Sequence, residues 1–542
     1  MNNSMIKKMA AYGIFTAGVL LALYYILFGM RAEYGVLSSD NMMDAVAAVE
    51  SGTIVNRGFW YGYSMPVNAS LVMTALVKII GTKFAAVKTG MLICTAILVI
   101  CLVLLFRSVG IDLTGSLTAS GISLMLLFSS DTMRTTVFSH VTYYMTAFMA
   151  VCLIWYCFRF IERYTETGGS SVIKKRIVYC LVFLISAAAC MNGYHIVMMF
   201  TLPVLITLII EQTMVSDSLS GPEAKDSRLK TVILIAGLLF GSIFGMLIRR
   251  RLFGNISYEN DLTVFSGFDS WFFRDSSFLK QWVTLFTGSI PEETNMMTAG
   301  GIFVMLHYLT ALVILVLPVF ALISLRHYRD RMMKLYVIDY WVTFLTVYMI
   351  FSLGNEQFDN WRLIGLAVMA VTVSCMHIYH LIAEREDKKI TMLQMSMIPM
   401  ITAFVCCLTN ILITTAFIEK ENPADTITHV LQGHGLTYGY ASFNNNANLI
   451  TVLSDFTVKV RPIEIYEDGS YRIERYENEF AWYEDQPDTS RYFVIVDRRE
   501  KGFAVDTLVK AASEIIETED VSILVFEGNI FAEGQPMYYN ES

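Results

Sequence analysis

The stretch Leu37-Ser-Ser-Asp40-Asn-Met-Met-Asp44-Ala45 sets two carboxylates four residues apart, just beyond the first long apolar run. On a helix that spacing puts both acids on one face, at the point where a membrane segment emerges into water. A carboxylate there can deprotonate an acceptor hydroxyl as general base. A lipid-phosphate donor would bring its electrophilic carbon to the same depth, so both reactants align. The same residues also fit a structural role, because Ser38, Ser39 or Asp40 ahead of an apolar-periodic run is an N-cap pattern.

Further candidates are spread along the chain. Asp131 and Arg134 stand three apart in Ser129-Ser-Asp-Thr-Met-Arg134, with His140 just after. They either pair across a helical turn, or Arg134 holds a phosphate while Asp131 orients an acceptor or assists Asp40. Arg249-Arg250-Arg251 and Arg362 either snorkel to lipid headgroups or clamp a lipid (pyro)phosphate with the bidentate guanidinium fork. Asn192 and His195 line a polar cavity or are satisfied interior polar groups. His377 and His380, with only His327 nearby, read as packing or interfacial residues. No clear ligand set for a divalent metal is visible, and the cofactor is left open.

The elements that must position these residues follow from composition. The 542 residues are 55% hydrophobic and 16% charged, against about 25% charged in an ordinary soluble domain. With repeated apolar runs near 20 residues, this is the composition of a polytopic α-helical membrane protein. Eleven spans are expected, at 9–29, 86–106, 114–129, 138–158, 177–190, 196–211, 230–248, 302–325, 335–353, 363–382 and 394–417. The N-terminal run follows Lys7 and Lys8 with no small-residue cleavage site behind it, which reads as a retained anchor. All nine cysteines lie in or beside apolar runs, without zinc-type spacing.

Lys and Arg alternate in density between successive loops. The rich loops carry Arg107; Arg159 to Arg176; Lys225 to Lys230; Arg326 to Lys334; and Arg385 to Lys389. The poor ones carry Arg134, none, and Arg362. The positive-inside rule then gives a cytoplasmic N-terminus and an outer C-terminus. It puts the first loop (30–85), the 249–301 loop and the tail on one outer side, in a cell-membrane protein.

In the first loop Met42, Ala45, Val46 and Val49 recur at helical spacing until Gly52, and a second amphipathic stretch, Leu71–Ile80, ends at Gly81. Two surface helices are expected. The 249–301 loop is aromatic-rich (Trp271-Phe-Phe-Arg274, Trp282), which argues against disorder. From Ile418 onward there are 23 acidic and 10 basic residues, an acidic segment unsuited to nucleic acid. It reads as a small α/β extracytoplasmic domain, 418–542, after a membrane domain, 1–417. Its expected elements are a strand at Leu436–Ser442, a helix at Asn445–Leu453, a hairpin around Glu467-Asp-Gly-Ser470, a strand at Arg491–Val496, a helix at Asp506–Ile516 capped by Asp506, and a strand at Val521–Phe526. It contains no glycine-rich phosphate loop or nucleophile motif.

The order of parts is one span, then Ser39-Asp40-Asn41, a surface helix, Tyr63-Ser-Met-Pro66, a second surface helix closing at Gly81, and a span ending Arg107-Ser-Val-Gly110. It resembles the GT-C superfamily of polyprenyl-phosphate-sugar-dependent glycosyltransferases, in the protein O-mannosyltransferase and aminoarabinose-transferase-like branch. The likeness covers about residues 9–160 in motif order and the remainder in topology; the tail's first strands and helix look like the extracytoplasmic tail of bacterial members. The resemblance implies an inverting single displacement with Asp40 as base and a polyprenyl-phosphate sugar as donor. The acceptor would be a glycan, lipid or protein hydroxyl, and outer-loop basic residues would hold the phosphate. Asn41 departs from the family's Asp-Glu pair, so no role passes to a second acid there, and whether Asp44 substitutes stays open. The rival classes are a transporter or flippase of lipid-linked glycan, a glycan polymerase or ligase, and a membrane scaffold displaying the tail.

Overall fold

The computed structural model describes residues 3–33, 43–56, 58–60, 67–139, 145–166, 172–218, 222–252, 265–288, 295–354, 359–383, 401–402, 405–410, 412, 422–442, 447–473 and 478–531. Among these, seven helices are long and apolar enough to cross a membrane: Met5–Gly29, Phe84–Ser108, Tyr194–Thr213, Arg228–Leu252, Ala299–His327, Arg331–Leu353 and Asn360–Ala383. They correspond to the first, second and sixth to tenth expected spans. Their outer faces expose large apolar side chains, among them Ile97, Ile100, Phe240, Ile243, Phe244, Leu247, Val316, Phe320 and Ile323. Apolar surface on that scale is unfavourable in water and at home in hydrocarbon. The chain is a polytopic helical membrane protein.

The third, fourth and fifth expected spans correspond to the helices Leu113–Leu126, Thr146–Glu166 and Val172–Cys190. The first of these has 14 residues, about 21 Å at 1.5 Å per residue, shorter than a hydrocarbon core of about 30 Å. Arg159, Glu162 and Arg163 in the second, and Lys174 to Arg176 in the third, dilute the apolar signal. Of the eleventh expected span only fragments between 401 and 412 fall within the described residues.

By contacts the chain divides into two units: Met1–Tyr25, Cys94–Arg249 and Glu259–Ala416 in one, Ile26–Ile93, Arg250–Tyr258 and Phe417–Ser542 in the other. In the first unit, helix packing relies on small residues. The helix Asn3–Tyr24 crosses Leu113–Leu126 through Gly18 and Gly121; a Cβ at Gly121 would lie 2.6 Å from the Ile14 carbonyl oxygen. Backbone approach of this kind lets helices associate where no hydrophobic gain drives them together.

Helix ends in this unit collect into two groups. In one, Arg159 bridges Glu162 at 2.9 Å and Asp330 at 2.7 Å, while Arg331 pairs with Glu162 and Glu211. Gly110 comes so close to that group that a Cβ there would collide with Asp330 Oδ2, and Asp112, two residues on, accepts the Tyr379 hydroxyl at 2.9 Å. In the other, Tyr25 meets Thr135 at 3.2 Å, Ser130 donates to the Leu285 carbonyl at 2.6 Å, and the Ser266 amide donates to the Leu353 carbonyl at 2.8 Å.

The second unit holds the strands β1 (Phe59–Trp60), β2 (Tyr438–Ala441), β3 (Lys459–Ile465), β4 (Tyr471–Ile473), β5 (Asn478–Glu479), β6 (Tyr492–Val496), β7 (Glu514–Glu517) and β8 (Ser522–Phe526). Six form one sheet in the order β4-β3-β2-β6-β8-β7. β2 runs parallel to β3 and β6, and the helix Ala447–Leu453 makes the β2-to-β3 crossover. β3 and β4 form the hairpin anticipated around Glu467–Ser470. The helices Met43–Ser51 and Val67–Ile80 stop at Gly52 (φ +58°) and Gly81 (φ +86°), left-handed positions that suit glycine. They pack together, and the first also packs on Ala447–Leu453. β1 pairs antiparallel with β5, so the first-loop segments and the sheet share one folded unit.

The expected helix Asp506–Ile516 is not formed as such. The helix here is Arg498–Phe503, capped by Asp497 in a reciprocal capping box with Glu500. A π-helical turn follows over Val505–Val509. Asp506 is exposed and pairs with Lys510. Residues 514–517 instead supply the edge strand β7, whose ladder to β8 satisfies their backbone groups and overrides helix propensity.

The packing of Gly121 gives a test. Gly121→Leu is expected to destabilise the membrane unit by about 1–3 kcal/mol or more through overpacking against backbone. Gly13→Leu, where an added Cβ meets nothing within 4 Å, is expected to stay within about 0.5 kcal/mol. Thermal unfolding of the two purified variants compares them, and equal melting points would refute this packing.

Candidate functional site

Asp40 and His140 lie outside the described residues. Asp44 is the second residue of the helix Met43–Ser51. The remaining candidates fall into three places.

The first is built on the turn Asp131–Arg134 in the membrane unit. Ser130 caps it, accepting the Met133 amide at 2.9 Å while donating to Leu285. Asp131 is exposed, and its Oδ1 accepts the Thr132 amide at 2.8 Å. Arg134 is buried and donates from Nη1 to the Phe128 carbonyl at 3.0 Å. The turn touches both the helix Phe268–Thr287 and the turn Asn360–Leu363, which touch each other. Arg362 on the latter pairs with Asp359 at 3.6 Å and lies 5.9 Å from the Phe351 ring centre. Gly288, ending the aromatic helix, comes so close that a Cβ there would sit 3.1 Å from Asp131 Oδ1. The loop that its aromatics marked as ordered thus contains a 20-residue helix, anchored by buried Trp282 donating to the Ala311 carbonyl at 2.9 Å. Asp131 and Arg134 on one turn and Arg362 on another are thus carried by two contacting elements, both touching the helix Phe268–Thr287.

The second place is the end of the helix Pro222–Leu252. Successive helical residues point about 100° apart, so three consecutive arginines cannot share one environment. Arg249 is buried, 5.9 Å from the Tyr194 ring centre and within electrostatic reach of His195. Arg250 and Arg251 are exposed. Asn192, two residues before Tyr194, is 1% exposed, and neither its amide nitrogen nor its oxygen has a partner. The chain enters this corner through Gly193 at φ +121°. Arg249 and His195 are the groups there suited to an anion.

The third place did not stand out in the sequence. In the second unit, Arg461 on β3 is fully buried and donates from Nη2 to Glu50 at 3.0 Å. Its Nε donates to the Tyr438 hydroxyl at 3.3 Å, and its guanidinium lies 4.1 Å from the Trp482 ring centre and 5.5 Å from that of Tyr438. Burial disfavours the guanidinium charge, yet Glu50 and Tyr438 outweigh it and hold Arg461 above its ordinary pKa. Burial likewise raises the Tyr438 hydroxyl, with Arg461 opposing. In front of this pair opens a cleft of about 400 Å³ lined by Ala47, Glu50, Ser51, Thr53, Val55, Asn56, Glu479 and Trp482. The signal available in the sequence was Arg461 itself, a charge at an inward register of an apolar strand.

Two acids inside the spans were also passed over. Asp339 is fully buried and accepts the Trp155 indole N–H at 2.8 Å; Glu211 pairs with Arg331. His377 hydrogen-bonds Tyr328 at 2.8 Å, and His380 packs against the same ring. Among the described residues no group of three or more His, Cys, Asp or Glu is placed to hold a metal ion. No protein-family model matches the chain, and no curated protein matches it either.

Removing one partner of a buried ion pair leaves the other charge uncompensated, which costs about 3–5 kcal/mol. Arg461→Met is therefore expected to destabilise the second unit by that order, and Glu50→Gln in the same background to recover part of it. A double-mutant cycle by denaturant unfolding reads the coupling; purely additive effects would show that the two side chains do not act as a pair.

Proposed function

We propose that this protein is an inverting glycosyltransferase that moves a sugar from a polyprenyl-phosphate donor to an acceptor hydroxyl on the outer face of the cell membrane. Asp40 takes the acceptor proton. The freed oxygen attacks the anomeric carbon, the bond from that carbon to the phosphate oxygen breaks, and the lipid phosphate leaves with the electron pair. Guanidinium groups of the outer loops neutralise the leaving phosphate. Arg249, within electrostatic reach of His195, is the strongest candidate; Arg134 and Arg362 border Asp131 in the second group.

The observation that carries this reading is the sorting of helix ends. Arg159, Glu211, Asp330 and Asp112, from loops assigned to the cytoplasm by charge, meet in one group. The turns 131–134 and 360–363 and the helix Phe268–Thr287, from loops assigned to the outside, meet in the other. That supports eleven alternating crossings with the N-terminus inside and the acidic tail outside, the short helix Leu113–Leu126 and the charged pair after it counting as crossings. It also supports a single outer side for the candidate acids and arginines.

A transport reading is favoured by one observation, the fully buried Asp339 within a span, since intramembrane acids often mark a substrate or proton path. A transporter has no donor turnover to lose.

Purified protein incubated with a panel of polyprenyl-phosphate sugars is expected to release lipid phosphate in an acceptor-dependent way. Asp40→Asn is expected to lower the rate about 10²–10⁴-fold. Near-normal transfer by that variant would sink the base assignment. No transfer by folded wild type, with flux that Asp339→Asn abolishes, would establish transport instead.

The arginines separate in the same assay. Arg249→Ala is expected to reduce kcat/KM for the donor about 10–150-fold, as for loss of a charged hydrogen bond. Arg250→Ala and Arg251→Ala are expected to stay within about twofold. Equal losses at all three positions would point to surface charge rather than a single phosphate contact.

A further inference from the structure

The cleft in the second unit plays no part in the chemistry proposed above. Its volume of about 400 Å³ lies within the range of about 300–1,000 Å³ usual for small-molecule sites. Its walls come from two distant segments: Met43–Ser51 and the turn after it on one side, β5 and Trp482 on the other.

The chemistry of the walls is selective. Glu50 is already neutralised by Arg461, whose Nη2 it accepts at 3.0 Å. Glu479 accepts the Asn56 side-chain N–H at 2.9 Å through one oxygen. Ser51 and Thr53 add hydroxyls, and Trp482 an apolar wall. Among the described lining residues acceptors therefore predominate and none is a cation, and their carboxylates disfavour phosphates and acidic sugars. Arg461, which contacts both Glu50 and Trp482, keeps Nη1 without a partner although it is 2% exposed.

Such a surface suits a ligand rich in hydroxyl groups with an apolar ring face. Carboxylates accept two neighbouring hydroxyls at once, hydroxyl and amide groups serve as both donor and acceptor, and an indole packs against ring C–H groups. We propose that the cleft formed by Glu50, Ser51, Thr53, Asn56, Glu479 and Trp482 is a binding site for an uncharged saccharide unit, separate from the site of transfer. This assignment does not require the transferase reading, because binding is measured without any lipid donor.

The test is saturation-transfer NMR on full-length protein in detergent micelles, with methyl α-mannoside, maltose and lactose as probes. Glucuronate serves as the acidic control and putrescine as the cationic one. At least one neutral sugar is expected to receive saturation at its ring protons, with both controls silent. Thr53→Trp, at an exposed position, fills the cleft without touching its buried support. Glu479→Gln removes the charged acceptor. Each is expected to weaken binding at least tenfold while the melting temperature stays unchanged. Absence of saturation with all three neutral sugars, undiminished binding in Thr53→Trp, or equal binding of glucuronate or putrescine would each overturn the proposal. Donor turnover, measured separately, tells this failure from failure of the transferase reading.

Discussion

A guanidinium buried to 2% exposure among tyrosine and tryptophan rings demands a counter-charge, and in this protein the counter-charge comes from 411 residues away in sequence. Arg461 lies on β3, beside the β2 strand that carries Tyr438, so its position is fixed by the sheet. Glu50 must therefore come to it. That requirement orients the helix Met43–Ser51 over the sheet, sets the left-handed turn at Gly52, and aligns Phe59 and Trp60 to pair with Asn478 and Glu479. A two-residue strand pair cannot hold itself in water; it persists because the ion pair, and the packing of Phe59 on Trp482 at 5.8 Å, have already brought the segments together. The cleft is the space left between them.

The membrane unit solves a different problem. Between lipid-facing helices there is no hydrophobic gain to collect, so close backbone contact and satisfied polar groups take its place. Gly18 on Gly121 supplies the first, as do Gly241 and Gly245, where a Cβ would reach the carbonyls of Phe183 and Ala187. The ion-pair network of Arg159, Glu162, Glu211, Asp330 and Arg331 supplies the second, tying together loops that sequence separates by up to 172 positions. Both devices explain why helices with modest hydropathy, such as Thr146–Glu166, sit in the bundle at all.

What could be read in the sequence was what repeats locally. Period and length mark the seven long apolar helices, glycine marks where Met43–Ser51 and Val67–Ile80 stop, and turn residues mark the β3–β4 hairpin. What could not be read was anything decided by partners far along the chain. Residues 506–516 look helical, but the last three of them, with Glu517, complete a sheet edge because β8 is there to receive them. Three adjacent arginines look equivalent, but the helical twist buries one and exposes two. Arg461 looks like an interruption in an apolar strand until Glu50 is seen beside it, and Asp339 looks like noise in a span until Trp155 is seen facing it. Of the candidate site, Asp131, Arg134 and Arg362 lie on contacting elements. The resemblance in motif order singles out Asp40, and that acid lies outside the described residues.

These two solutions divide the chemistry. In hydrocarbon a polar group without a partner costs several kcal/mol, so ionisable side chains inside the bundle are committed: Asp339 to Trp155, Glu211 to Arg331, His377 to Tyr328. Recognition by many weak hydrogen bonds needs acceptors that water can occupy until a ligand displaces it, and such acceptors survive only in contact with solvent. Glu479, Ser51 and Thr53 are of that kind, and the buried charge of Arg461 keeps the surface they stand on from collapsing. The unit that carries the sheet is thus suited to selecting by hydroxyl pattern, and the helical unit to holding charge in fixed places.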